Sequence, residues 1–84
     1  MYELVFDEKV STYLEKLPKD ISQRIFKKLQ ETKENPHHYF VKLSSRSEYK
    51  LRVGDYRVIA DIEDNKLIIY VIHADHRSKV YKKL

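Results

Sequence analysis

The chain contains one glycine, Gly54, and it stands where two alternating runs of apolar and polar residues meet. Tyr49-Lys50-Leu51-Arg52-Val53 comes before Gly54-Asp55, and the run from Tyr56 to Glu63 comes after it. Alternation with period two marks a strand with one buried face, and a two-residue connection containing glycine marks a tight hairpin. A turn of that length leaves one register, with Val53 opposite Tyr56, Arg52 opposite Arg57 and Leu51 opposite Val58. Asp64-Asn65 predicts a second two-residue turn, leading into a strand over Lys66–His73. One face of this meander then holds Leu51, Val53, Tyr56, Val58, Ala60, Ile62, Leu67, Ile69 and Val71. An apolar surface of that extent needs a second layer to cover it.

The first half supplies the layer. Tyr2, Leu4 and Phe6 alternate with Glu3 and Val5, which predicts a short strand. Asp7 is placed to cap a helix whose apolar residues Val10, Tyr13, Leu14 and Leu17 follow the i, i+3, i+4, i+7 spacing. Pro18 cannot continue that helix but suits the first turn of another. The buried stripe of this second helix is Ile21, Ile25 and Leu29, with Phe26 at its flank, and Asn35-Pro36 ends it. A polar connection is predicted from His37 to about Glu48. The expected architecture is α+β: an N-terminal strand, an αα-hairpin, then a three-stranded antiparallel meander. Both helices cover one face of a four-stranded sheet, and residues 1–84 form one domain.

Cysteine is absent, which excludes a disulfide framework, a thiolate zinc site and a cysteine nucleophile. Met1-Tyr2-Glu3-Leu4 lacks a basic segment leading into an apolar one, and no run approaches the ~20 apolar residues of a membrane span. The reading is a soluble, cytoplasmic protein without a membrane partner. Residues 1–40 carry seven Lys/Arg and seven Asp/Glu, whereas residues 41–84 carry ten and six, so the whole net charge of +4 lies in the second half. That asymmetry points to an anionic partner docking there, with RNA the foremost candidate.

Period two places Lys50, Arg52 and Arg57 on the face away from the helices, beside Ile59, Tyr70 and Ile72. Two arginines directly opposite one another cost a sheet a few tenths to about 1 kcal/mol when nothing compensates. Two readings follow. An anion held between them reverses the sign, because arginine grips phosphate through paired donors. Alternatively both side chains extend into water. In the tail, Arg77 and Tyr81 are four apart and share a side if that segment is helical. Tyr81 either stacks on a base or pins the C-terminus to the core. Lys79, Lys82 and Lys83 add nonspecific attraction to a polyanion.

Tyr-Lys-Leu-Arg-Val-Gly-Asp-Tyr-Arg-Val-Ile at 49–59, together with His-Arg-Ser-Lys-Val-Tyr at 76–81, resembles the RelE/ParE superfamily of bacterial and archaeal toxins, and the order of elements matches across essentially the whole chain. The resemblance to the RelE branch implies the toxin of a type II toxin–antitoxin system. Such a toxin is a metal-independent endoribonuclease (mRNA interferase) that cuts messenger in the ribosomal A site by attack of the RNA 2′-OH and so inhibits translation. It implies no cofactor, a helical RelB-like antitoxin that wraps the toxin, and operator DNA bound through that antitoxin. By motif position Lys50, Arg52, Arg57, Arg77 and Tyr81 match the family's catalytic residues, and Lys50, Arg52, His76 and Lys79 are candidates for substrate binding. Some members have lysine where Arg52 stands, and many have a base or glycine near Asp75, so the acid there departs from the pattern. The ParE branch shares the fold but poisons DNA gyrase by protein binding, without ribonuclease activity. A third alternative is an inactive relative that binds RNA or an antitoxin and represses transcription.

Cleavage by the 2′-OH needs a base, an acid for the leaving 5′-oxygen, and cations for the phosphorane charge. Arg52, Arg57 and Arg77 supply the cations. Arginine, with a reference pKa above ~12, is no base. Lys50 serves if neighbouring cations lower its pKa, and Tyr81 or His76 offers another donor or acceptor. No carboxylate–histidine pair is evident in the sequence, and Glu48 and Asp75 are assigned only to orienting cations. His37-His38, and His73 with His76, lack the acidic or thiolate companions of a metal site. Ser44, Ser45 and Ser47 read as loop residues, and Asp61, Glu63 and Asp64 as the acids of a hairpin end.

Overall fold

The computed structural model describes residues 1–77, so the predicted roles of Lys79 and Tyr81 lie outside the described residues. The elements run β1 (Glu3–Phe6), α1 (Glu8–Glu15), α2 (Lys19–Thr32), α3 (Pro36–Tyr39), β2 (Val41–Lys42), β3 (Tyr49–Val53), β4 (Tyr56–Glu63) and β5 (Ile68–His76). They build an α+β fold with one five-stranded mixed sheet in the order β1-β5-β4-β3-β2. β1 pairs parallel to β5, and the remaining neighbours are antiparallel.

Local chemistry explains the boundaries. The Asp7 carboxylate accepts from the Lys9 N–H and caps α1. Pro18 then sets the entry to α2 with φ −51°. α2 stops at Thr32, whose hydroxyl donates back to the Leu29 carbonyl at 2.6 Å. Leu14, Ile25 and Leu29 from the helices meet Val58, Ile69 and Val71 from the sheet, and all six are fully buried. Phe6 of β1 meets Phe26 of α2 with ring centroids 5.7 Å apart, joining the edge of the sheet to the helix above it.

The register at Gly54 is the predicted one: Val53↔Tyr56, Arg52↔Arg57, Leu51↔Val58. Gly54 has φ +59° while Asp55 stays outside the positive-φ region, the pattern of a type II′ turn. A Cβ on Gly54 would meet only the Arg24 guanidinium, at 3.5 Å, so the position constrains backbone rather than space.

Three expectations are corrected. The connection from His37 to Glu48 is not wholly irregular: it holds α3, the short edge strand β2 and the buried Phe40. Pro36 sits in the first turn of α3, where its missing N–H costs nothing, as well as following α2. The second hairpin has a four-residue loop, Asp64–Leu67, because Glu63 pairs with Ile68. Leu67 therefore leaves the apolar face, lies 46% exposed and takes φ +55°. Its carbonyl accepts from the Glu3 N–H at 2.8 Å, where the loop meets β1.

The third correction carries most of the functional consequence. In β5, Ile59 pairs with His73 but Ala60 pairs with Val71, which leaves Ile72 as an extra residue. This β-bulge reverses the alternation. Ile69 and Val71 face the helices before it, and Ala74 is buried after it, so the inward positions change from odd to even numbers. The third strand also runs to His76 rather than ending at His73.

Gly54→Ala and Leu67→Gly test the two left-handed positions in opposite directions. A non-glycine residue in that region costs roughly 1–2 kcal/mol. Urea unfolding should show Gly54→Ala losing about 1 kcal/mol and Leu67→Gly, at a largely exposed site, matching or exceeding the parent.

Candidate functional site

On the sheet face opposite the helices, the register arranges two rows of side chains. One row runs Lys50, Ile59, His73 across β3, β4 and β5, and the next runs Arg52, Arg57, Asp75. Adjacent strands are about 4.8 Å apart, and alternate residues about 6.8 Å along a strand, so the two rows form one patch. Lys50 and Arg57 are half-buried, and Arg52 is exposed. The structure thus brings the predicted strand trio together on the outer face.

One of the opposed arginines has a built-in counter-charge, on the side away from the other. Arg57 Nε and Nη2 donate to the two oxygens of Asp75 at 3.0 and 2.9 Å, a bidentate pair. His73 Nε2 lies 3.0 Å from Asp75 Oδ2. The Arg57 guanidinium is the main cause that holds the Asp75 carboxyl below the usual carboxylate range, with His73 assisting and burial opposing. Among the described residues Arg52 has no carboxylate at ion-pair distance, so it remains available to an external anion. Glu48 does not orient the strand trio: Arg46 Nε stands 3.4 Å from its Oε1.

His73 reaches this face only through the bulge, which the residue pattern of β5 does not mark by itself. Uninterrupted period two puts residues 73 and 75 beneath the helices with Ile69 and Val71. The available signal was the switch of apolar parity between Val71 and Ala74, with polar residues at 73 and 75. A carboxylate–histidine pair therefore exists, contrary to expectation.

His76 lies elsewhere. It pairs with Tyr56 on the helix-facing side, with the two rings edge-to-face at 4.9 Å. Tyr13 of α1 joins this end of the sheet, where burial first, then Tyr56 and Asp75, push its phenol above the ordinary value. His73 and His76 thus occupy opposite faces. Arg77 is exposed, and its N–H donates to the Asp55 carbonyl at 2.7 Å, which holds the start of the tail against the Gly54 turn. Among the described residues no group of three or more His, Asp or Glu is placed to hold a metal ion. None of their helices is long and apolar enough to cross a membrane. A separate cluster at the far end joins Tyr2 Oη and His37 Nε2 to Asp64 Oδ1 at 2.6 and 2.7 Å, so Asp64 belongs to a loop clamp.

The family described as the ParE toxin of type II toxin–antitoxin systems (parDE) matches residues 4–81. The mRNA interferase toxin RelE of Escherichia coli (strain K12) is 32% identical over 87 residues, covering 98% of this chain and 92% of that protein. In the intact E. coli RelBE toxin–antitoxin complex, a chain 31% identical superimposes with a TM-score of 0.77, over 90% of this chain and 96% of its own length. The RelBE2 toxin–antitoxin complex of Mycobacterium tuberculosis has a TM-score of 0.81 at 23% identity, over 90% of this chain and 98% of that one, a likeness of fold. The chain belongs to the RelE/ParE superfamily of toxins from type II toxin–antitoxin systems. Its named relatives at about 30% identity are RelE toxins.

The depressed Asp75 pKa fixes the sign of one pH effect. A carboxyl whose folded value lies below its unfolded one stabilises the fold above about pH 4 and loses that contribution as pH falls through the folded value. Asp75→Asn should therefore lower stability at pH 7 by about 1.5–3 kcal/mol, the scale of hydrogen bonds to charged groups. It should also flatten the decline below pH 4, as followed by denaturant titrations at stepped pH.

Proposed function

We propose that this toxin is a ribosome-dependent endoribonuclease that cuts messenger RNA in the A site by attack of the RNA 2′-OH. The observation that carries the reading is the row Arg52, Arg57, Asp75 beside Lys50 on the open sheet face. Among the described residues Asp75 is the carboxylate that the row sets against Arg57, which leaves Arg52 to meet a phosphate through its paired donors. The relatives named mRNA interferase supply the reaction class.

In this reading Arg52 and Arg57 hold the scissile phosphate and balance the charge of the phosphorane, and Lys50 flanks them. Arg77 and Tyr81 complete the site from the tail, and Lys79 contributes to substrate binding, while His76, packed on Tyr56 across the sheet, takes no part. Residues 1–84 act as one domain in the cytoplasm, without a metal or cofactor. Neutralisation is by a helical antitoxin of the RelB kind that wraps the toxin, and the complex binds operator DNA through that antitoxin. Solved relatives that are RelE–RelB complexes support such a partner.

The match to a family described as ParE favours a second reading, inhibition of DNA gyrase by protein binding. The two predict different damage. Arg52 is the informative position, because Arg57→Ala also leaves Asp75 without its guanidinium. Induced wild type should produce messenger cuts only while translation proceeds, and Arg52→Ala should slow cutting by about 10²–10³-fold, the usual effect of deleting one transition-state donor. Intact messengers with accumulating DNA breaks would replace the ribonuclease with the gyrase reading.

A further inference from the structure

A site rich in cations needs a proton acceptor, and the structure places an imidazole beside it. His73 shares the outer face with Lys50 and Arg57, on the strand next to β4 and one row from Asp75. Its Nε2 meets Asp75 Oδ2 at 3.0 Å, and the same oxygen takes Arg57 Nη2 at 2.9 Å. A carboxylate only accepts, so Nε2 carries the proton and donates, which fixes the ring and leaves the Nδ1 lone pair for another partner. The side chain is 58% exposed, hence accessible to a docked strand. Both residues reach this face only because of the extra residue at Ile72. A bulge that re-aims side chains beside a site is a recognised structural device.

We propose that His73 is the general base of the cleavage and Asp75 its positioning residue, an inference that rests on the ribonuclease reading above. With the phosphate between Arg52 and Arg57, Nδ1 takes the 2′-hydroxyl proton as the 2′-oxygen bonds to phosphorus. The bond from phosphorus to the 5′-oxygen breaks with its electron pair, and that oxygen takes a proton from solvent water. The products are a 2′,3′-cyclic phosphate and a 5′-hydroxyl. Imidazole suits this step because it is the side chain whose ordinary titration falls between pH 5 and 8. Asp75 meanwhile couples the base to the cation: the carboxylate that orients His73 also holds Arg57.

The test is single-turnover cutting of messenger on translating ribosomes from pH 5.5 to 8.5, for wild type, His73→Gln and His73→Ala, with folding checked by circular dichroism. Wild type should cut with a rate that rises with pH at unit slope over the acid part of the range. His73→Gln should cut about 10²–10⁴-fold more slowly, the usual contribution of a positioned base, and lose that slope. Added imidazole should restore part of the rate of His73→Ala. A His73→Gln protein within threefold of wild type, or a slower one that keeps the acid slope, overturns the assignment and leaves the ribonuclease reading standing. Wild type that cuts no messenger overturns both.

Discussion

Side-chain parity across β3, β4 and β5 is the constraint on which the rest depends. Every row on the inner face is apolar or aromatic, from Leu51, Val58 and Ala74 to Val53, Tyr56 and His76. Every inward choice fixes an outward one. Gly54 sets the parity of β3 against β4 with a two-residue turn, and the extra residue at Ile72 resets it halfway along β5. Without that reset, Ala74 would face water while a histidine and an aspartate lay under the helices. Burying a charge without partners costs far more than the ladder irregularity of one bulge.

The opposed arginines show how a locally unfavourable placement is tolerated. Arg52 across from Arg57 is repulsive taken alone. Asp75, the next residue along that row, accepts two hydrogen bonds from Arg57 and is 17% exposed, so little water screens the pair. The row is thereby divided: one arginine is held internally and the other stays open. In the proposed mechanism His73, in the neighbouring row, adds proton transfer to that charge.

Much of this was legible in the sequence for particular reasons. The lone glycine between alternating runs determined register, and register determined the face of Lys50, Arg52 and Arg57. Asp7, Pro18 and the Ile21, Ile25, Leu29 stripe located the helices because capping, proline and 3.6-residue spacing act locally. What stayed hidden was non-local or short. A two-residue strand such as β2 has no periodicity to detect, and Phe40 is buried by its partners rather than by pattern. Asp64-Asn65 resembles a two-residue turn, but the chain uses four, because Leu67 supplies the left-handed position instead. The bulge left only a change of parity in four residues, too short to separate from an exposed isoleucine.

The parallel pairing of β1 with β5 has a bearing on synthesis. The first strand can find its neighbour only after residues 68–71 are available, since Glu3 pairs with Ile68 and Phe6 with Val71. Such distant closure is slow to form and is made late. While the chain is emerging from a translating ribosome, α1 and α2 can coil but have no completed sheet to rest on, and the outer patch has no third strand. The Arg52, Arg57, Asp75 row is therefore complete only once β5 has left the exit tunnel.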